Sequence, residues 1–319
     1  MVSVVNPIAF SGLDMRGDCR EKTLEPIKVI YNPAAAPDRS AARRKEILFY
    51  LDKTKIPYDW SETLYHQHAE LLAAEAVAAG FRRIAVAGGD GTVNQVINGF
   101  MQNAADPELV ILPVGTCNDF IRSIPLPADL KLASAALTSS NVKRFDVACI
   151  GERYFINAAG IGFDVDVILS LQKSGKRQFI NYLITVFQNL FGFTAVHLVI
   201  ENQGTSTERD VILFVAANGK QFGGGFRIAP KADISDGQLN FMLFRDMPGW
   251  KRARALLFFA IGQHHRLPES EVFTADSLSI KSNCSLQLQL EGELYRWTDG
   301  ELRISVLPKR VAIVLPENV

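Results

Sequence analysis

The sequence has little of what a disulfide-stapled or metal-stapled fold needs. Its four cysteines (Cys19, Cys117, Cys149 and Cys284) form no CxxC or CxxH pair, which excludes a disulfide scaffold and a zinc ribbon and reads as reduced thiols in a cytosolic protein. His66 and His68 stand at i,i+2, on different faces of a helix, and His264 and His265 are adjacent, so no zinc site is expected from them. Charge of one sign is missing too: 34 Lys+Arg balance 34 Asp+Glu. With no net field and no local basic patch, nucleic acid is not an expected partner. Neither GxxxxGK[ST] nor GxSxG occurs, and Gly160-Ile161-Gly162 lacks the third glycine of the dinucleotide fingerprint. A P-loop, a serine-hydrolase elbow and a standard Rossmann turn are therefore excluded.

Long apolar runs are scarce. The first ten residues are apolar, but no basic segment precedes them and Asp14, Arg16, Asp18 and Arg20 follow; residues 1–26 read as a poorly ordered N-terminal extension. Residues 178–200 carry no Asp, Glu, Lys or Arg over 23 positions, long enough to span a bilayer. Hydrocarbon would leave Gln178, Asn181, Gln188, Asn189 and His197 unsatisfied, and Gly192 divides the stretch. The expectation is a helix followed by a buried strand, with a membrane-associated segment as the alternative.

What the chain does have is a core: 48% hydrophobic residues over 319 positions, enough to bury roughly three quarters of its unfolded surface and to build about two domains. From Pro26 to about Pro127 short apolar runs alternate with helical spacing. IKVIYN precedes a helix over 38–53 with Asp38 as its N-cap, YDWSET precedes 65–79, RIAVAGG precedes 92–103, and LVILPVG precedes 116–123. This alternation predicts a parallel sheet with helices on its faces. After about residue 141 the period changes to strand-like alternation (KRFDVACI and RYFINAA meeting at Gly151-Glu152, then DVILFVAAN, QLNFMLF, SLSIKS, SLQLQLE, ELRISVL), with helical insertions at 163–191 and 249–262. The fold class expected is an α/β N-terminal domain with a parallel sheet plus a C-terminal antiparallel β-sandwich domain with helical insertions. The expected division is 27–140 and 141–310, with a last strand, 311–317, returning to the first domain.

The sharpest local signal is Gly88-Gly89-Asp90-Gly91-Thr92-Val93-Asn94, between a buried strand and a helix. Its glycines permit a tight turn with positive φ and close ligand approach. Turn amides backed by a helix N-terminus make an anion cradle suited to phosphates. Asp90 would repel a bare anion, so it points to a shared metal or a hydroxyl; the plainer reading is a βα turn whose Asp90 caps the helix.

GGDGTVNQVINGF (88–100), LPVGTCNDFIRSI (112–124) and GGGFRIAPKADISDGQLNFMLF (223–244), with the Asn32-Pro33 strand end and the closing VLPKRVAIVLP, resemble the diacylglycerol kinase and sphingosine kinase family of lipid kinases in order and spacing, over roughly residues 27–318. The resemblance implies ATP in a cleft between an N-terminal domain of the NAD kinase and phosphofructokinase type and a β-rich lipid-substrate domain. It implies that Asn32 ends the first strand near the nucleotide and that Thr63 reaches ATP. Gly88, Gly89, Asp90, Gly91, Thr92 and Asn94 would wrap the phosphates, and Thr116, Asn118 and Asp119 would face the same cleft. For Mg2+ it implies the Asp236 side chain, with backbone oxygen from Asp233 and Gln238; without the resemblance, residues 234–237 read as a turn between strands. Asp90 and Asp119 suit the same hard cation, directly or through water.

The family's general base lies in a late Asp-Gly-Glu triplet, and the matching place here is Glu291-Gly292-Glu293. Glutamate stands where the family has aspartate. A carboxylate displaced by about an ångström can cost on the order of 100-fold in rate. The alternative, Asp299-Gly300-Glu301, reads as the turn before ELRISVL, and Asn32-Pro33 is followed by AAAP where the family has a glycine-containing turn. The function implied is a Mg-assisted, ATP-dependent kinase acting on a hydroxyl of diacylglycerol or a related membrane lipid. It would be cytoplasmic, in transient peripheral contact with the inner membrane surface, with a homodimer as one assembly to be considered. The alternatives are an NAD-kinase-like enzyme with a soluble substrate and a non-catalytic nucleotide- or lipid-binding paralogue. Helix 249–262, with Lys251, Arg252 and Arg254 beside an apolar run, reads as a solvated helix packed on the second sheet or as a membrane-surface element.

Overall fold

The computed structural model describes residues 25–103, 105–174, 185, 189, 191–282, 285–298 and 300–317. Most of the expected N-terminal extension, most of the helix expected over 178–191, and Asp299 lie outside these residues.

The first domain is a parallel sheet in the order β4-β3-β1-β2, formed by β1 (Ile27–Tyr31), β2 (Tyr58–Glu62), β3 (Arg83–Gly88) and β4 (Glu108–Pro113). β1 is buried throughout and β3 and β4 nearly so, as strands covered on both faces must be. The edge strand β2 carries Asp59 and Glu62 and stays partly exposed, which disfavours edge-to-edge pairing. Helices α1 (Ser40–Thr54), α2 (His68–Ala78) and α3 (Asp90–Met101) cover the faces. α1 buries Ile47 and Leu51 on one side, while Ala73, Ala76, Val93, Ile97 and Phe100 of α2 and α3 fill the other.

The α2–α3 crossing is close because Gly99 has no side chain: a methyl there would sit 2.4 Å from the Glu70 carbonyl oxygen and 2.8 Å from Ala73 Cβ. Gly99→Ala should therefore destabilise the fold by about 1–3 kcal/mol despite its gain in helix propensity. A urea midpoint equal to or above that of the unmodified protein would refute this packing.

Two sequence expectations shift. The first helix starts at Ser40, because Pro37 opens a 3-10 turn (Pro37–Arg39) that absorbs Asp38; Arg39 takes the N-cap position without a side-chain cap. The helix expected over 116–123 contracts to a 3-10 turn at Phe120–Arg122. Gly115 is pressed against Gly89, and Asn118 takes φ +50°, which interrupts a helical run.

After the short α4 (Leu130–Ala133), the chain becomes antiparallel: β5 (Val142–Ile150), β6 (Arg153–Phe155), β7 (Ala158–Gly162), α5 (Phe163–Ser174), β8 (Val196–Asn202), β9 (Thr205–Ala217), β10 (Leu239–Arg245), α6 (Gly249–Ala260), β11 (Ser270–Ala275), β12 (Ser277–Lys281), β13 (Leu286–Leu290), β14 (Glu293–Trp297) and β15 (Glu301–Val314). Strand order is β14-β13-β7-β9-β8-β12-β15, with β10 linking β9 to β11. Alternating side chains such as Leu198 and Ile200, Leu286 and Leu288, and Leu302 and Ile304 build its core. The end of the uncharged stretch is thus strand β8, and no helix among the described residues is long and apolar enough to cross a membrane.

β15 belongs to both domains. Its first half pairs antiparallel with β12, and Ala312 and Ile313 pair parallel with β4. β5 runs beside it with a register shift between Leu307 and Val311, where Lys309 takes φ +52°. The buried Asp146 closes this bulge: one carboxylate oxygen accepts the Lys309 amide and the other the Gly237 amide, each at 2.7 Å.

Candidate functional site

The Gly88–Asn94 turn does not use its glycines for positive φ; that expectation is corrected, since none of Gly88, Gly89 and Gly91 is among the positive-φ residues. They are needed for space. A methyl at Gly88 would lie 2.4 Å from Thr92 Cβ, and one at Gly89 would lie 3.2 Å from the backbone of Gly115. At Gly91 a methyl would meet nothing within 4 Å. The turn is therefore backed by protein on one side and open at Gly91, ahead of the Thr92 and Val93 amides that already bond to Gly89 O.

Asn32, Thr63 and Thr92 converge beside it. Asn32 donates from Nδ2 to Thr92 Oγ1 (2.8 Å), and its Oδ1 accepts from the Ala34 amide (2.9 Å) and Thr63 Oγ1 (3.2 Å). Asp90 neither caps α3 nor stands free. Its two oxygens accept the amides of Asp119 and Phe120, both at 2.9 Å, so it ties the glycine turn to the loop after β4. Burial holds its carboxyl above the usual range, against the pull of those amides. Asp119, raised likewise by burial, accepts Gln221 Nε2 (3.1 Å) and the Gly224 amide (2.7 Å) from the second domain. Asn118 folds back on Gly115 O (3.0 Å), and Thr116 is exposed beside it. The Cys117 thiol is raised by burial and by the charges of Asp119 and Asp90.

Glu291 comes from the β13–β14 turn, in the left-handed region at φ +52°. Its Oε1 accepts the amides of Ile156 (3.0 Å), Asn157 (2.5 Å) and Ala158 (3.2 Å). Burial pushes its pKa up to about 8; the three amides oppose this, and the Asp90 charge adds to it. The two carboxylates therefore sense each other from opposite domains. Nearby, Gln95 of α3 donates to Glu293 Oε1 (2.8 Å), which also faces His66 Nε2 (3.1 Å). The side-chain oxygens of Asn94 and Asn157 are buried without a hydrogen-bond partner, an arrangement that a bound donor would relieve.

Asp233 and Asp236 share an exposed turn: Asp233 Oδ1 accepts the Ser235 amide and hydroxyl, and Asp236 Oδ1 accepts the Gln238 amide (2.9 Å). Asp146 anchors this turn from below. No group of three or more His, Cys, Asp or Glu side chains among the described residues forms a metal cluster.

In the second domain an apolar pocket of about 660 Å3, including its open mouth, is lined by Phe163, Phe222, Phe244 and Phe259, with Asp164 and Arg252 as its charged members. Asp164 is raised to about 7 by burial. The fully buried Gln289 donates to Asp164 Oδ2 (3.1 Å) and accepts the Gly292 amide (2.9 Å), linking the pocket wall to the Glu291 turn.

Comparison with known proteins agrees with this two-part arrangement. Residues 26–150 match the diacylglycerol kinase catalytic domain, and residues 158–315 match the YegS C-terminal NAD kinase beta sandwich-like domain. The protein named "Probable lipid kinase YegS-like" of Chromohalobacter salexigens is 33% identical over 259 residues, covering 77% of this chain and 80% of that protein. The chain belongs to the diacylglycerol kinase and YegS-like lipid kinase family. A diacylglycerol kinase of Staphylococcus saprophyticus is 28% identical over 270 residues, 83% of this chain and 88% of that one. The fold is shared with a diacylglycerol kinase structure from Bacillus anthracis str. Sterne at TM-score 0.71 and 21% identity, over 94% of this chain and 100% of that one.

In this lipid kinase family member, several polar partners around these residues have no individual signal in the sequence. Gln95 lies in GGDGTVNQVINGF, Glu293 in the Glu291-Gly292-Glu293 triplet and Gln221 just before the glycine run 223–225, so their positions are readable in the sequence but their pairing across domains is not. Asp146 and Gln289 occupy strands and Asp164 the first turn of α5, with no local motif; only tertiary contacts reveal them.

Proposed function

We propose that this protein transfers the γ-phosphoryl group of ATP to a hydroxyl of diacylglycerol or a related membrane lipid, at the cytoplasmic membrane surface. The observation that carries this is the position of Glu291: amide-held, in the electrostatic field of Asp90 at the start of α3, and joined through Gln289 to the wall of an apolar pocket.

The open side at Gly91 and the N-terminus of α3 fit a triphosphate, with Asn32, Thr63, Thr92, Asn94, Thr116 and Asn118 orienting it. Asp90 and Asp119 hold the two phosphate-side loops and the second domain in register. Mg2+ keeps several waters and needs few carboxylates, which the exposed Asp233–Gln238 turn can offer through Asp236 and backbone oxygens of Asp233 and Gln238. When bound, it would supply neutralisation of phosphate oxygens. The apolar pocket excludes water and accommodates acyl chain, and Asp164 gives it one polar contact for a hydroxyl-bearing headgroup. Glu291 accepts the proton of the attacking hydroxyl as phosphoryl transfer proceeds.

The test is incubation with γ-labelled ATP, Mg2+ and a total lipid extract, with NAD in a parallel reaction. Label in a lipid phosphomonoester is the expected result. Label in NAD, or ATP binding with no transfer to any lipid, would replace this function with one of its competitors.

A further inference from the structure

α6 has two faces that do different things. Toward the interior, Arg252, Ala255 and Phe259 line the apolar pocket. Arg252 fixes this orientation, donating to Met247 O (3.0 Å), Phe193 O (2.9 Å) and Asp246 Oδ1 (2.8 Å). The helix therefore cannot roll without breaking a buried guanidinium network. Toward solvent stand Trp250 (68% exposed), Leu257 (69%) and Ile261 (60%), with Arg254 among them. Their spacing of four, three and four residues puts all four within an arc of about 60°. Phe191 (53% exposed), packed beside Gly249, extends the apolar stripe past the start of the helix.

Among the described residues nothing covers this exposed Trp-Leu-Ile stripe. Its surroundings select the occupant: Arg254 stands exposed within the stripe and Arg266 is exposed just past the helix, while Lys251 and Arg252 are held by Glu269 and Asp246. Apolar side chains that enter the acyl boundary, a tryptophan suited to the headgroup level and an exposed arginine among them match an anionic bilayer.

We propose that the outward face of α6, formed by Trp250, Arg254, Leu257 and Ile261 and extended by Phe191, docks on anionic lipid bilayers and so brings the pocket behind it to within one helix diameter, ~10 Å, of the membrane. The proposal rests on the lipid-kinase reading, which gives the pocket a lipid to receive. It assigns membrane contact to a specific helix face and makes that contact separable from catalysis.

The experiment uses the full-length protein with phosphatidylglycerol–phosphatidylcholine vesicles and with phosphatidylcholine vesicles, read by co-sedimentation. Two variants, Trp250→Ala/Leu257→Ser/Ile261→Ser and Arg254→Glu, are checked for an unchanged melting temperature. The expected result is tight binding of the unmodified protein to anionic vesicles only, weakened at least about tenfold in the triple variant. Arg254→Glu should lose most of the anionic preference. Both variants should turn over water-dispersed short-chain diacylglycerol like the unmodified protein. Vesicle binding that is unchanged in both variants would overturn the proposal, as would a solution dimer that the triple variant dissolves. Turnover of dispersed lipid without vesicle binding sinks the docking face alone; vesicle binding through α6 with no lipid phosphorylated supports the docking face and sinks the lipid-kinase reading.

Discussion

Glu291→Gln should lower kcat by about 100- to 10,000-fold, the usual worth of a positioned general base, while the protein stays folded. The amide oxygen of glutamine can still accept the amides of Ile156, Asn157 and Ala158, so the β13–β14 turn keeps its anchor. Stability should move in the opposite direction to activity. In the folded protein burial raises the Glu291 pKa from 4.5 to about 8. The neutral form is thus favoured by folding: its contribution is fully present below pH about 4.5 and is lost as pH rises through about 8. The glutamine variant lacks this loss, so its melting temperature should exceed that of the unmodified protein by a margin that widens from pH 6 to pH 9. The same group predicts that kcat/KM of the free enzyme climbs with pH toward about 8. A glutamine variant that retains activity within a factor of about three would remove Glu291 from the role of base.

The second large effect is expected at Gly115. A methyl there would stand 2.3 Å from Gly89 Cα, 2.7 Å from Asn118 Oδ1 and 3.0 Å from Gly89 N. Two of those neighbours are backbone and cannot swing aside. Gly115→Ala must separate the loop after β4 from the glycine turn, which stretches the Asp90 bonds to the Asp119 and Phe120 amides. Destabilisation of about 1–3 kcal/mol and a rise of at least about tenfold in the KM for ATP are expected together. Gly91→Ala is the informative contrast. With open space around its methyl and a better helix former in α3, it should gain up to about 1 kcal/mol in stability yet weaken ATP binding, because the methyl enters the space where phosphate would approach. Denaturant midpoints and nucleotide titrations on the two variants separate the effects; equal ATP affinity in all three proteins would mean the turn does not face the nucleotide.

The parallel β–α half of the fold was legible because β1, β3 and β4 are buried apolar runs and the first three strands are each followed by helical spacing. The second half was legible as a change of period, down to the hairpin in which Ile150 pairs with Arg153 around Gly151-Glu152. Features that depend on contacts between distant strands were not. β15 serves both domains through a bulge at Lys309 whose cause, the Asp146 carboxylate, lies far away in sequence. Asp90 shows the same limit within the site. Its position after two glycines invites a cap or a metal ligand, whereas its bonding partners sit on the loop after the next strand. The Glu291-Gly292-Glu293 triplet was visible as the candidate base, but the way the fold holds its first carboxylate was not. The left-handed backbone at Glu291 and the three amides of the β6–β7 connection fix where its side chain ends.

The most direct measurement is a crystal structure of the protein with Mg2+ and a non-hydrolysable ATP analogue. The triphosphate should lie over the Gly88–Thr92 turn, with its terminal phosphate directed toward the Glu291 carboxylate across the domain boundary. A nucleotide seated elsewhere, or one whose terminal phosphate points away from Glu291 into solvent, would contradict the shared site on which the proposed phosphoryl transfer depends.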